Sequence, residues 1–156
     1  MRSIDKRRKR TMPEASVDRA TFAAELLARP PLHAWLKPRV LSADTATDTV
    51  TIGLAYQPAF SRSPDRRDYH GGIIATLIDI AGHAALAAKL GRRVPTVDMR
   101  IDYLRPAVDS DLRAIARVLR AGRSLGVVDV EVVDDAGRSI AVGRCVFSTA
   151  EANSPH

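Results

Sequence analysis

Tyr69-His70-Gly71-Gly72-Ile73-Ile74-Ala75-Thr76-Leu77-Ile78-Asp79 is the stretch on which the reading of this chain turns. A glycine pair meets a helix start, and a single carboxylate follows two turns later in a run that is otherwise apolar. The pattern predicts one long helix from Gly72 to about Leu90. Gly91 serves as its C-terminal cap, and Lys89 complements the negative end of the helix dipole. Ile74, Leu77, Ile78, Ala81 and Ala85 form one stripe, with Ala75, Thr76 and Leu86 beside it. A helix without a broad polar face is expected to be buried nearly all round.

Working outward, residues 95–104, 111–120, 125–133 and 139–148 read as strands, broken by Pro106, Asp109-Ser110, Ala121-Gly122 and Asp134-Asp135-Ala136-Gly137. Val128, Val130 and Val132 share a face opposite Asp129 and Glu131. Ala141, Gly143, Cys145 and Phe147 oppose Ile140, Val142, Arg144 and Val146. Upstream, Val40–Ser42 and Val50–Tyr56 read as a hairpin joined through Asp44–Thr49, and residues 57–69 as a charged loop. A short helix is predicted from a Ser16 N-cap to about Arg29, with Phe22, Leu26 and Leu27 as its stripe, ended by Pro30-Pro31. Strands with turn-length connections make an antiparallel sheet. The order therefore predicts an α+β architecture: a curled antiparallel sheet around one long central helix, plus a short N-terminal helix.

With 156 residues and 46% hydrophobic content, one domain is expected over residues 16–150, between a basic tail at 1–15 and a C-terminal tail at 151–156. The net charge of +6 is unevenly placed: residues 1–10 hold +5 and the rest of the chain +1. A solvated tail accounts for the basicity, and nucleic acid is not expected as a partner. No uninterrupted apolar run of bilayer length is present, so neither export nor a membrane span is expected. Cys145, the lone cysteine, excludes an internal disulfide and a cysteine metal site; it reads as a small apolar strand residue in a protein of the reducing cytoplasm.

The stretch 69–79, together with Pro95-Thr96-Val97-Asp98-Met99-Arg100-Ile101-Asp102-Tyr103-Leu104-Arg105-Pro106, resembles hotdog-fold thioesterases, most closely those of the phenylacetate-degradation type. The likeness covers about residues 40–149 and is sharpest over 70–106. It implies a hotdog fold, a homodimer or dimer of dimers, an acyl-coenzyme A substrate, thioester hydrolysis, and no metal or separate cofactor. Thr96 matches a position where relatives often carry a hydroxyl near substrate or water. Many relatives carry an asparagine about six residues before the histidine, where this chain has Pro64; Asp68 is the substitute considered.

Thioester hydrolysis needs donors for negative charge on the carbonyl oxygen and an activated water or carboxylate nucleophile. Gly71 and Gly72 offer N–H groups at a helix start, where donors are unpaired and the dipole is positive. Asp79 is the only carboxylate between Asp68 and Asp98 and is expected to act as base or nucleophile. Eight helical residues separate Gly71 from Asp79, roughly 12 Å at 1.5 Å per residue, too far for both to meet one carbonyl. Antiparallel helices of two subunits would bring the donors of one to Asp79 of the other.

His83, one turn beyond Asp79, reads as a satisfied buried histidine ahead of a catalytic one, and His70 as a loop-orienting residue first and a candidate catalytic residue second. Arg120, Gly122, Arg123 and Ser124 are candidates for coenzyme A phosphates, with Arg62, Arg66 and Arg67 weaker ones. Trp35, Leu36, Phe60 and Tyr69 suit either an acyl pocket or ordinary packing. Two other activities fit the same fold: a non-catalytic acyl-CoA binding module, and a hotdog hydratase or dehydratase.

Overall fold

A computed structural model describes residues 18–150 of the chain. Both predicted tails, and the Ser16 cap, lie outside the described residues. Helix α1 runs Arg19–Ala28 with Asp18 as its N-cap, accepting from the Ala20 N–H at 3.2 Å and the Thr21 hydroxyl at 2.7 Å. Pro30-Pro31 ends α1, as the sequence indicates, and also starts a second helix, α2 (Pro31–Leu36), which a terminator reading of the pair does not predict. Proline suits the first helical position, where its missing N–H would have had no partner. A left-handed Lys37 (φ 57°) closes α2.

Strands β1 (Arg39–Asp44) and β2 (Thr49–Leu54) form the predicted hairpin. At its turn, Asp48 accepts from Arg19 Nη1 at 2.7 Å and from Lys89 Nζ, tying the hairpin to the short N-terminal helix and to the long central one. Helix α3 runs Gly71–Leu90, ending on left-handed Gly91 (φ 67°) as the sequence indicates. The remaining strands are β3 (Thr96–Tyr103), β4 (Leu112–Ala121), β5 (Leu125–Val133) and β6 (Ser139–Ser148).

All six strands join one antiparallel sheet in the order β1-β2-β4-β5-β6-β3. Short connections suggest that β3 pairs with β4, but it pairs with β6 at the far edge. The reason lies in α3, which carries the chain across the sheet after β2. The segment after Tyr103 then returns to β4 while pinned to the loop before α3, through Tyr69 N–H to Ala107 O at 3.0 Å and Asp109 N–H to Arg67 O at 2.9 Å.

The core lies between α3 and the concave face of the sheet. Val128, Val130 and Val132 from β5, and Ala141, Cys145 and Phe147 from β6, face it as the alternation predicts. Ile140 is the exception: assigned to the outer face, it is fully buried. The chain after β3 covers it, Leu104 and Arg105 both donating to its carbonyl. The apolar length of α3 would suffice to cross a bilayer, but most of it is buried inside this fold. Its apolarity is accounted for by the sheet that wraps it.

The wrap is incomplete. Ile74, Leu77, Ile78, Ala81 and Ala85 are buried as expected, whereas Gly72, Thr76, Asp79 and His83, at helical spacings of four, three and four, keep one face partly open. That face corrects the expectation of near-complete burial. It also places Asp79 within reach of solvent and ligands.

Candidate active site

His70 is the N-cap of α3, and its Nδ1 accepts from the Gly72 N–H at 2.9 Å. Accepting at Nδ1 places the proton of a neutral ring on Nε2, so the exposed imidazole presents a donor near the helix start. The His70 N–H donates to Phe60 O at 2.7 Å, fixing the turn against the preceding loop. One side-chain and one backbone hydrogen bond thus hold His70 between the preceding loop and the start of α3. Among the described residues, nothing accepts from the Gly71 N–H, whereas the Gly72 N–H is already engaged. The two expected donors thus differ in availability, which spacing alone does not reveal.

On the open face, Asp79 Oδ1 accepts from Thr96 Oγ1 at 2.9 Å. The two residues come from α3 and the first position of β3, and the sheet order brings them together. Asp79 is half-buried, so the cost that a fully buried carboxylate would carry is reduced by the Thr96 hydroxyl and by solvent.

His83 has no hydrogen-bond partner among the described residues, unlike the satisfied core histidine expected. Its ring meets Phe147 edge-on, with centroids 6.2 Å apart. Burial pulls its pKa below the usual imidazole value, Asp79 opposes the shift, and Arg93 and His33 add to it. Cys145 is fully buried, and burial, assisted by Asp79 and Asp129, pushes its thiol up to about 12. A thiol held protonated there is a packing group.

The aromatic candidates mainly pack on one another. Trp35 meets Phe60 edge-on at 5.3 Å, Tyr56 meets Tyr69 at 5.4 Å, and Phe60 lies 6.2 Å from Tyr69. Leu36 is buried as well. Only Tyr69 of the predicted four also borders a cleft of about 370 Å³ at the start of α3, beside Gly71, Asp68, Arg62 and Tyr103. Asp68 is 4% exposed; one oxygen is paired with Arg62 Nε and the other has no partner among the described residues.

At the opposite end of α3, Gly122, Arg123 and Ser124 border a cleft of about 530 Å³ with Arg92 and Thr149. Arg120 lies on the stem of the same hairpin and does not line the cleft. Arg92 donates to the Thr149 carbonyl and was not anticipated. Arg66 and Arg67 belong to the loop before α3, where Arg67 pairs with Asp109 at 2.6 Å and stacks on Tyr56 at 4.6 Å. Tyr103 was also missed: its hydroxyl donates to Gly71 O at 2.8 Å. A regular strand alternation gives no sign of that contact.

Comparisons with known proteins identify the family of this fold. The family profile described as Thioesterase superfamily matches residues 68–141, which include the α3 start, Asp79 and Thr96. A protein of Halobacterium salinarum, assigned by name to the esterases, is 41% identical over 97 residues, 56% of this chain and 64% of its own length. The medium/long-chain acyl-CoA thioesterase YigI of Escherichia coli is 35% identical over 78 residues, 40% of this chain and 50% of its own. The chain thus spans about half to two thirds of the curated relatives it matches.

Among solved structures, the PaaI protein of the E. coli phenylacetic acid degradation operon shares the fold, with a TM-score of 0.72 at 22% identity over 83% of this chain and 94% of its own. Zebra fish thioesterase superfamily member 2 aligns with a TM-score of 0.71 and 27% identity, over 84% of this chain and 95% of its own. A crystal structure of a protein from the thioesterase superfamily aligns with a TM-score of 0.79 and 36% identity, over 83% of this chain and 97% of that one. Near-complete coverage at that identity, with a hotdog sheet wrapped on α3, places the chain in the thioesterase superfamily.

Proposed function

We propose that the chain hydrolyses an acyl- or aryl-coenzyme A thioester to the free acid and coenzyme A, with the reaction centre shared between two copies. The observation that carries this reading is Asp79 on the open face of α3, held by Thr96 and facing away from its own core. In the base route, Asp79 takes a proton from water as the water oxygen bonds to the thioester carbon. The carbonyl electrons move to oxygen, which accepts from the Gly71 N–H and the His70 Nε2–H of the second copy, while the dipole of that copy's helix stabilises the negative charge. Collapse of the tetrahedral adduct breaks the C–S bond, and the proton held by Asp79 passes to the leaving thiolate. In the nucleophilic route, the Asp79 oxygen bonds to the carbon first and the C–S bond breaks, the thiolate leaving with a proton from solvent; water then cleaves the mixed anhydride, releasing the free acid and restoring the Asp79 carboxyl group. The Gly72 N–H joins as a donor only by sharing or releasing its bond to His70.

Dimerisation is supported by two unpaired surfaces. Strand β3 is a sheet edge of eight residues, with Val97 58% exposed, and such an edge invites another strand. The open face of α3 is the second. A partner covering them would set its helix start against Asp79 across the twofold, spanning the gap of roughly 12 Å that a single chain leaves. A further association into a dimer of dimers belongs to the same proposal. The cleft at Arg123, Ser124 and Arg92 suits coenzyme A phosphates, through guanidinium and hydroxyl donors.

The test is release of free thiol from short-, medium-, long-chain and aryl-CoA thioesters, with sedimentation of the same samples. A dimer that releases thiol, and loses at least about a hundredfold in rate with Asp79→Asn, is expected. Ligand binding without thiol release would assign a binding module. Loss of an enoyl thioester without free thiol would assign a hydratase.

A further inference from the structure

The Gly71–Gly72 peptide group is gripped at both ends by side chains. Its carbonyl accepts from the Tyr103 hydroxyl at 2.8 Å, and its N–H donates to His70 Nδ1 at 2.9 Å. Few backbone units at a helix start are held this way, because the first carbonyls of a helix normally look only to the following turn for a partner. The Tyr103 ring also lies over Gly71, its atoms 3.5 Å from where a β-carbon would stand. Tyr103 is 53% exposed at the end of β3, so burial alone does not explain where its hydroxyl points.

We propose that Tyr103 is a positioning residue for thioester hydrolysis, acting through the Gly71–Gly72 peptide and making no contact with the reacting atoms. Two physical effects follow from its bond. A planar peptide held at its oxygen cannot rock about the N-cap, so the N–H groups of the first turn keep their direction as charge develops. A hydrogen bond donated to the carbonyl also polarises the peptide and strengthens its N–H as a donor. The Gly72 N–H can then serve His70 in the free protein and share with an oxyanion when one forms. Removing the hydroxyl costs little in substrate binding, where the carbonyl carries small charge, and more in the step where the charge appears. The inference rests on the hydrolase reading above.

Tyr103→Phe keeps the ring over Gly71 and deletes only the donor. Its kcat for the best acyl-CoA should fall about fivefold to tenfold, with KM within about twofold of the native value. In amide and carbonyl NMR spectra of the same variant, the Gly71 carbonyl carbon and the Gly72 amide nitrogen should shift while signals from β4 and β5 stay in place. An unchanged kcat, a loss carried entirely by KM, or unmoved Gly71 and Gly72 signals would overturn the proposal. A native protein silent toward every thioester would instead overturn the hydrolase reading and the role of Tyr103 in it. Unmoved signals in an active protein would remove the role of Tyr103 alone.

Discussion

Thr96→Val gives the sharpest test of how Asp79 is held. Valine keeps the branched shape suited to the first residue of β3 and deletes the hydroxyl that donates to Asp79 Oδ1 at 2.9 Å. Hydrogen bonds to charged groups contribute about 1.5–3 kcal/mol. Thr96 is exposed and Asp79 half-buried, so water recovers part of that, leaving about 1 kcal/mol. That predicts a fall of roughly fivefold in kcat/KM. Asp79→Asn alone should cost about a hundredfold to ten-thousandfold, as the loss of a base or nucleophile does. In the Asp79→Asn background the charged acceptor is already gone, so Thr96→Val should cost less than about twofold. Thiol release measured for the four proteins, at matched folded concentration, closes the cycle. An equal factor for Thr96→Val in both backgrounds would show that the hydroxyl acts independently of Asp79 and refute the reasoning.

Two further perturbations probe the scaffold. A β-carbon at Gly143 would stand 2.6 Å from Ile78 Cγ2, a methyl fixed close to the α3 backbone, so Gly143→Ala should destabilise by about 1–3 kcal/mol and lower the melting temperature by several degrees; a melting curve matching the native one would show that α3 shifts freely on β6. His83 has a folded pKa below its unfolded value of about 6.5. The unfolded chain therefore takes up the proton first, and the stabilisation is complete above that value and lost as pH falls through the folded pKa. Denaturant titrations between pH 8 and pH 5 should show a shallower loss in His83→Gln than in the native protein, and parallel losses would place the shift elsewhere.

Local chemistry made much of the fold legible. Helix α3 was readable because an apolar run, a glycine start and a glycine stop all agree, β5 because its valines alternate with Asp129 and Glu131, and β6 because Ala141, Gly143, Cys145 and Phe147 recur at every second residue. Helix α2 was missed because Pro30-Pro31 stops one helix and starts the next, two roles with one spelling. The edge position of β3 was not readable from loop lengths, since α3 transports the chain across the sheet before β3 begins. At the site, Asp79, Thr96 and the glycines were visible as a motif. The open stripe of Gly72, Thr76, Asp79 and His83 was present in the spacing, but small residues beside it resemble a buried face. Tyr103 and Arg92 could not be found, because their partners lie 32 and 57 positions away in sequence and meet them only through the sheet.

The two ends of the site are tied to one strand. Thr96, at the start of β3, holds Asp79, and Tyr103, at its end, holds Gly71. Seven strand steps cover about 23 Å, against roughly 12 Å for the eight helical steps between Gly71 and Asp79. The strand therefore outruns the helix it flanks. The register irregularity between Thr96 and Asp98 shortens the strand at its start, and the long tyrosine side chain reaches back along it, whereas the short threonine needs close approach. A rocking of β3 about its middle, lifting one end from α3 and lowering the other, would change the two contacts in opposite senses. Strand β3 is also the unpaired edge on which the proposed partner would add its own strand. Pairing there would fix the tilt, so association would set the geometry of the acid and of the amide donors together, beyond supplying the missing half of each centre.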